Sequence, residues 1–450
     1  MWRPAKLPKA GPRYLSIVQA LEDDVAEGRL RTGDRLPPQR ELADEMGVTL
    51  TTVTRAYSEA ARRGLVEGEV GRGTFVRAAL EEETGPDAPI DLSINAVLPH
   101  AHAAELAAAL TASGKLGHRV RLLDYHPPLG MAAHRAAGRR WLERRGVDLS
   151  RHEVAVTVGA QHGLLVALMA LASGGEILVE DVTYSGFKDL AASLRLRLHP
   201  VAMDADGMCP ADLDAVCRRT TARVLYTMPA LHNPSGISMP LVRQQEIAAI
   251  VRRYDLTVVE DDTYGFLVPD VPPLAILAPE RTVTVTSLSK SVTGGLRIGY
   301  LAMPERWREA FASAIWNTVL MASPVMADIA TRLIDDGTAA RVVSWKREEM
   351  MARQRLARAQ LAGVPERTQL ASPHVWLPLE RPWRAETFAA SARARGVLVT
   401  PGTAFAVREG ASPRAVRVAL GPPRSREHLA RGLVRLSELL QERPGMSAVL

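Results

Sequence analysis

Apolar residues near the start of the chain recur at helical spacing. Tyr14, Ile17, Val18, Leu21 and Val25 share one face of a helix predicted over residues 14–28, with Gly28 as its stop. Gly33 marks a turn before Leu36-Pro37-Pro38, and a short helix follows over Gln39–Met46, halted by Gly47. A third helix over Leu50–Arg63 sets Val53, Ala56, Tyr57 and Ala60 on one side, at spacings of 3, 4 and 7, before Gly64 closes it. Alternation from Leu65 to Val76, with Gly71-Arg72-Gly73 at the tip, predicts a β-hairpin. An acidic, proline-containing linker occupies residues 78–91. Beyond it, apolar runs at Val154–Val158, Ile177–Glu180, Val224–Thr227, Thr257–Glu260 and Val283–Thr286 alternate with helical stretches, the order of an α/β domain on a mostly parallel sheet. From about Arg341 the pattern turns to an arginine-rich helix and mixed α+β segments. The expected organisation is a helical reader with a hairpin over 12–77, the linker, and a larger unit over 92–450. That unit divides into a large lobe at about 130–335 and a smaller C-terminal lobe at about 340–450.

Length and composition narrow the class. At 450 residues the chain exceeds one compact core, and 47% apolar with 24% charged residues is ordinary for a globular protein. No apolar stretch reaches the roughly 20 residues of a membrane span. The start, Met1-Trp2-Arg3-Pro4-Ala5-Lys6, lacks a signal-peptide core, and two cysteines, Cys209 and Cys217, give no disulfide framework. A cytoplasmic location is the expectation. A pI near 9.5 permits nucleic-acid binding. Residues 1–77 hold 13 Lys/Arg against 11 Asp/Glu, a net of only +2, so an argument for DNA must rest on placement.

Two helices joined by a tight turn present the start of the second helix to a major groove. Here that start carries Thr49, Thr51 and Thr52, with Arg55 one turn on. Short hydroxyl side chains allow close approach to phosphates and base edges. Arg40 is placed for a phosphate, and Arg72 between two glycines is shaped for a minor groove. The segment Leu36-Pro37-Pro38-Gln39-Arg40-Glu41-Leu42-Ala43, together with Gly71-Arg72-Gly73-Thr74-Phe75-Val76, resembles the GntR family of winged helix-turn-helix regulators over about residues 12–77. One departure is Leu50, where that family usually has an arginine.

Lys290 carries the second signal. The chain has 50 arginines and six lysines, and this lysine lies in Thr286-Ser287-Leu288-Ser289-Lys290-Ser291-Val292-Thr293-Gly294-Gly295-Leu296-Arg297. A pyridoxal 5'-phosphate site needs a Schiff-base amine, an anion on the pyridine nitrogen, donors to the ring hydroxyl, an aromatic wall and a phosphate cradle. Lys290 supplies the amine. Asp261 follows an apolar strand, where α/β ligands bind, and suits the pyridine nitrogen. Tyr264 and Asn233, in Asn233-Pro234-Ser235-Gly236, suit the ring hydroxyl, and Tyr184 suits the wall. Gly159-Ala160-Gln161 opens a helix whose N–H groups suit phosphate, joined by Ser287, Ser289 and Arg297.

This constellation resembles fold-type I aminotransferases over about residues 92–450. The resemblance implies that Tyr125, in Asp124-Tyr125-His126-Pro127-Pro128, reaches the phosphate of a partner subunit's cofactor, and that Arg417 pairs with the ligand α-carboxylate. His232 stands where relatives often carry glutamine; His126 has a structural reading and an acid/base one. No metal site is expected. The two halves together resemble the MocR group of GntR regulators. That implies a head-to-tail homodimer whose double-stranded DNA operator binding responds to an amino acid or amine through aldimine chemistry at Lys290. Two other readings stay open: a working aminotransferase with an accessory DNA-binding module, and a regulator that senses pyridoxal phosphate itself.

Overall fold

The computed structural model describes residues 2–4, 12–26, 29–30, 33–62, 65–69, 73–76, 89–98, 105–106, 108–109, 111, 121–172 and 175–442. The chain forms two compact units, Met1–Ala88 and Pro89–Leu450. Gly28, Gly64, Gly71, Arg72 and the linker residues 78–88 lie outside the described residues.

In the first unit, helices α1 (Arg13–Ala26), α2 (Gln39–Met46) and α3 (Leu50–Arg62) precede an antiparallel hairpin of β1 (Val66–Glu69) and β2 (Gly73–Val76). Apolar periodicity explains the packing: Ile17, Val18 and Leu21 of α1, Leu42 of α2, and Val53, Ala56, Tyr57 and Ala60 of α3 fill one core with Val66 and Val76. The Tyr57 hydroxyl donates to the Pro37 carbonyl at 2.8 Å, fixing the turn into α2 against α3.

The second unit opens with β3 (Ile90–Asp91), inside the stretch whose composition suggests linker. Ile90 is buried, which draws these residues into a parallel pairing with β14 (Val397–Leu398). Helix α4 (Ala132–Glu143) then leads to a seven-stranded sheet, ordered β4 (His152–Thr157), β12 (Gly299–Pro304), β11 (Thr282–Ser287), β10 (Thr257–Asp261), β9 (Val224–Thr227), β5 (Glu176–Glu180) and β6 (Arg197–Val201). Strand β12 runs antiparallel to both β4 and β11, and the remaining pairings are parallel. In this sheet the edge strand β6 and the interior strand β12 are absent from the sequence reading; after β6 comes a short hairpin of β7 (Met203–Asp204) and β8 (Gly207–Met208). Strands β9 and β11 are buried along their whole length, as expected of a sheet covered on both faces. Because β4, β5, β9, β10 and β11 share one direction, the loops after them meet at one edge.

Helices α5 (Gly159–Leu171), α6 (Ser185–Ser193), α7 (Pro210–Arg219) and α8 (Leu241–Arg253) connect the strands, with the one-turn α9 (Leu288–Ser291) after β11. Helices α10 (Arg308–Val319), α11 (Pro324–Asp335) and the long α12 (Thr338–Gln360) lead to a small sheet of β13 (His374–Pro378), β16 (Ala415–Ala419) and β15 (Thr400–Pro401). Helices α13 (Ala385–Ala394) and α14 (Arg426–Gln441) pack on it.

One buried ion pair fixes the turn that leaves β10. Arg145 makes two bonds to Asp262, Nε to Oδ2 at 2.9 Å and Nη2 to Oδ1 at 3.1 Å, and donates to the Val271 carbonyl at 2.9 Å. Both side chains are 2% exposed, so neither charge has water to fall back on. Replacing Arg145 with Met strands Asp262 without its ion partner. A loss of about 3–5 kcal/mol is expected for the larger unit, read as an earlier urea transition, whereas an unchanged midpoint contradicts this role.

Candidate functional site

The strand ends enclose a cavity of about 520 Å³. It brings together Lys290, Asp261, Tyr264, Asn233, Tyr184, Ala160, Gln161, Ser287, Ser289, Arg297 and Arg417. Asn95, Val97 and Thr263 join them without having been marked by the sequence. Asp261 ends β10, buried to 3% exposure. Its Oδ1 accepts from the Thr263 hydroxyl and from the Thr263 N–H at 3.1 Å, and its Oδ2 from the Tyr226 hydroxyl at 3.2 Å. Burial pushes this carboxyl above its ordinary range, although the bonds from Thr263 oppose the shift. A carboxylate held in that state gains from a cationic N–H partner.

Lys290 lies on α9, which Ser287 caps by accepting from the Ser289 N–H at 3.0 Å. The Lys290 ammonium donates to the Asn95 carbonyl. Burial, with Arg417 and Arg297 nearby, lowers its pKa to about 8. Tyr264 receives a bond from Asn95 Nδ2 at 2.9 Å, so its own proton is free to donate. That polarity follows from His374. Its Nε2 faces the His232 carbonyl at 3.2 Å and must donate there, leaving Nδ1 to accept from Asn95 Nδ2 at 3.0 Å. Burial and Arg417 keep His374 neutral, its pKa lowered to about 3. His232 is buried, with Nδ1 2.8 Å from the Ser235 hydroxyl. It shapes the Asn233 turn without lining the cavity.

Asn233 Oδ1 accepts from Arg417 Nη1 at 3.0 Å, and Arg417 Nη2 donates to the Ser93 carbonyl at 2.5 Å. At the opposite end, Gly159 opens α5 with φ +75°, and a Cβ there would lie 2.9 Å from Nη2 of Arg297. The positive φ favours glycine there, and the missing Cβ leaves room for that guanidinium against the helix start. The first N–H groups of a helix have no partner within it, so this end suits an anion. Arg297 Nη1 donates to the Ser289 hydroxyl at 3.3 Å. Tyr184 donates to Gln161 Oε1 at 3.1 Å, which fixes its ring beside the cavity. Gly159 shapes the cradle from behind rather than lining it. Tyr125 does not line the cavity either and is 83% exposed. His126 Nε2 faces the Arg121 carbonyl at 2.7 Å, a structural contact. An anion-ready helix end, a desolvated carboxylate and a depressed lysine fit pyridoxal phosphate in charge and position.

In the first unit, Thr49 caps α3: its hydroxyl accepts from the Thr52 N–H at 3.3 Å and lies 2.9 Å from the Thr52 hydroxyl. Arg40, Thr49 and Thr51 are exposed, and Thr52 is half-buried. Arg55 is also exposed, but its guanidinium stacks 4.1 Å over the Tyr14 ring rather than pointing along the start of α3. Leu50 is 42% exposed on that same surface.

Comparison with known proteins agrees with both units. Residues 13–76 match the bacterial regulatory proteins of the gntR family, and residues 87–436 match aminotransferase class I and II. The uncharacterized HTH-type transcriptional regulator YdeF of Bacillus subtilis (strain 168) is 31% identical, over 98% of this chain and 97% of that protein. The probable rhizopine catabolism regulatory protein MocR of Rhizobium meliloti is 25% identical over 68% of each chain. The chain is a MocR-like regulator of the GntR family. Its larger unit belongs to the class I and II aminotransferases and has fold type I. The multiple substrate aminotransferase of Thermococcus profundus matches that fold with a TM-score of 0.72, at 21% identity, over 81% of this chain and 96% of that one. Among the described residues of this MocR-like chain, no helix is long and apolar enough to cross a membrane.

The Lys290 amine gives a pH test. Below about pH 8 it is protonated and unreactive; above, it is neutral, whereas an ordinary lysine keeps its proton to about 10.5. Labelling of the cofactor-free chain with an acylating reagent, followed by peptide mass spectrometry, is expected to show Lys290 reactivity rising through pH 8 and level by pH 9. A Lys290 profile that still climbs above pH 10 contradicts the depressed value.

Proposed function

We propose that this chain is a cytoplasmic transcriptional regulator that binds a DNA operator and senses an amino acid, an amine or pyridoxal phosphate itself through Schiff-base chemistry at Lys290. The observation that carries the reading is the convergence of Lys290, Asp261, Tyr264, Asn233 and Arg417 on one cavity in a chain that also holds a GntR-type reader. Pyridoxal phosphate, when bound, supplies an aldehyde that condenses with an amine and a ring that withdraws electrons.

Each side chain has a part in that reading. Lys290 offers an amine that is partly neutral near pH 8. Asp261, buried and short of cationic partners, holds a proton on the ring nitrogen. Tyr264, with its lone pair engaged by Asn95, donates to the ring hydroxyl, and Asn233 orients the same edge. Tyr184 covers the ring face. The N–H groups at Ala160 and Gln161, at the helix start that Gly159 shapes, would hold phosphate with Ser287, Ser289 and Arg297. Arg417 already makes planar contacts to Asn233 and Ser93 and suits a ligand carboxylate. In a head-to-tail homodimer, the exposed Tyr125 is available to a second subunit's phosphate. On the reader, Thr49, Thr51 and Thr52 at the start of α3 face the groove, Arg40 takes a phosphate, Arg72 enters a minor groove, and Arg55 contributes on leaving Tyr14.

Visible absorption of the full chain with pyridoxal phosphate, titrated with a panel of amino acids and amines, tests the pocket. K290A is expected to lose the covalent absorption band while retaining helix content. A spectral shift that stops after ligand addition supports a sensor. Repeated turnover with an added 2-oxo acid moves the reading to an aminotransferase, and a band persisting in K290A overturns the site.

For the reader, duplexes selected from a random pool supply the probe. Arg40→Ala is expected to weaken binding across selected sequences alike and to reduce the slope of log affinity against log salt by about one. An unchanged slope removes Arg40 from the interface.

A further inference from the structure

A second lysine lies beneath the first. Lys346, on α12, is fully buried, and among the described residues no carboxylate pairs with it. Its ammonium donates to the Val97 carbonyl at 2.8 Å and to the backbone carbonyl of Lys290 at 3.4 Å. Burial and the proximity of Lys290 lower its pKa to about 7. A lysine with so poor a set of partners in the interior costs stability. What it holds explains its place.

Residues 93–97 run along the cavity as a strap, and three cations grip it at alternate carbonyls. Arg417 holds Ser93 at 2.5 Å, where the Thr400 hydroxyl also donates at 3.0 Å, Lys290 holds Asn95, and Lys346 holds Val97. The Ala96 carbonyl packs against Gly421, where any Cβ would lie 1.8 Å from that oxygen. Leu98, the next residue, has φ +47°, a left-handed backbone that a leucine adopts only when its neighbours impose it. The strap is chain-adjacent to β3 and, through it, to the linker.

Two of the three grips use groups that the proposed function assigns to ligands. An amine that has condensed with an aldehyde keeps at most one N–H where the ammonium had three, and at most two after reduction, with their direction set by the new carbon bond; Arg417 directed at a carboxylate turns from Ser93. We propose that Lys346 is a positioning residue: it keeps the strap hinged at Val97, against the backbone of Lys290, when occupation of the pocket releases the strap at Asn95 and Ser93. This inference rests on the cofactor reading of the pocket.

Hydrogen–deuterium exchange of the full chain, followed on peptides covering 90–98 with β10 and β11 peptides as a fold control, provides the test. Pyridoxal phosphate is bound and reduced onto Lys290 with borohydride, and the modification is verified by mass. This adduct brings no carboxylate to Arg417, so Ser93 stays held, and the expected result is at least threefold faster exchange at 94–96 in the reduced wild type, with 97–98 still slow. In K346M the faster exchange extends through 98 after reduction, and K346R, which keeps the cation, restores the wild-type pattern. A merely structural role for Lys346 alters exchange equally with and without reduction, and that outcome overturns the proposal. So does exchange at 94–96 that is unchanged or slower when Lys290 is fully modified. If borohydride leaves Lys290 unmodified, the cofactor reading fails by itself. The cofactor-free K290A, which removes the Asn95 grip, then decides the strap: faster exchange at 94–96 supports it, and none overturns it.

Discussion

Lys290, Arg297 and Arg417 line one cavity against a single carboxylate, Asp261, and Lys346 adds a further cation behind them. Removing an ammonium from water costs several kcal/mol unless a partner compensates, and backbone carbonyls compensate only in part. The two lysines respond by releasing protons more readily, near pH 8 and pH 7. Arginine has no such escape, so Arg417 takes the Asn233 side chain and the Ser93 carbonyl instead. The imbalance makes the cavity a host for anions. A phosphate at one end and a carboxylate at the other relieve what the protein leaves unpaired.

The long helix α12 carries much of the support. Lys346, Arg353 and Gln354 sit seven and eight residues apart, hence on one face, and each ends on backbone carbonyls. Arg353 Nη1 donates to Leu420 at 2.8 Å and to Pro423 at 2.7 Å, while Gln354 Nε2 reaches Ser372 and His374, both at 2.9 Å. His374 in turn orients Asn95, and Asn95 orients Tyr264. A single helix thus sets the floor beneath Lys290, the strap beside it and the hydroxyl opposite. Carbonyls, unlike side chains, cannot be lost by substitution, so this support tolerates sequence change around it.

That same mode of support explains what could be read without a structure. Lys290 stood out because a lone lysine among serines, threonines and glycines has little reason to be surface charge. Asp261 was legible from its position after an apolar strand and Asn233 from its place in Asn233-Pro234-Ser235-Gly236, and α2 was read to its ends because its apolar spacing and Gly47 agree. Lys346 was not legible. It follows Trp345 and precedes Arg347, Glu348 and Glu349, and such a run reads as a solvated helix face. Asn95 lies in a short irregular segment without periodicity, so its bond to Tyr264 depends wholly on the tertiary fold. Strand β12 was missed for a related reason: its Gly299-Tyr300-Leu301-Ala302 run is short, and its antiparallel insertion between β4 and β11 is a matter of topology. Arg55 shows the converse. Its helical position was right, but an aromatic ring on a neighbouring helix outcompeted open solvent for its guanidinium.

Magnitudes decide whether a strap of this kind suffices for regulation. A hydrogen bond to a charged group contributes about 1.5–3 kcal/mol net, and water replaces part of it when the contact opens. Coupling between two sites in regulated proteins is commonly about 1–3 kcal/mol, or roughly 5- to 150-fold in affinity. One or two grips lost from Ser93 and Asn95 therefore fall in the required range, with no need for large movement of the sheet. The limit is equally firm: a ligand shifts the equilibrium only by the difference between what it gains in the pocket and what the strap gives up there. An amine that takes over the cofactor aldehyde would free Lys290 to hold Asn95 again, whereas only a ligand with a carboxylate would draw Arg417 from Ser93. Selectivity between such ligands can thus arise from which carbonyl is released along residues 93–97, as well as from the fit of their side chains.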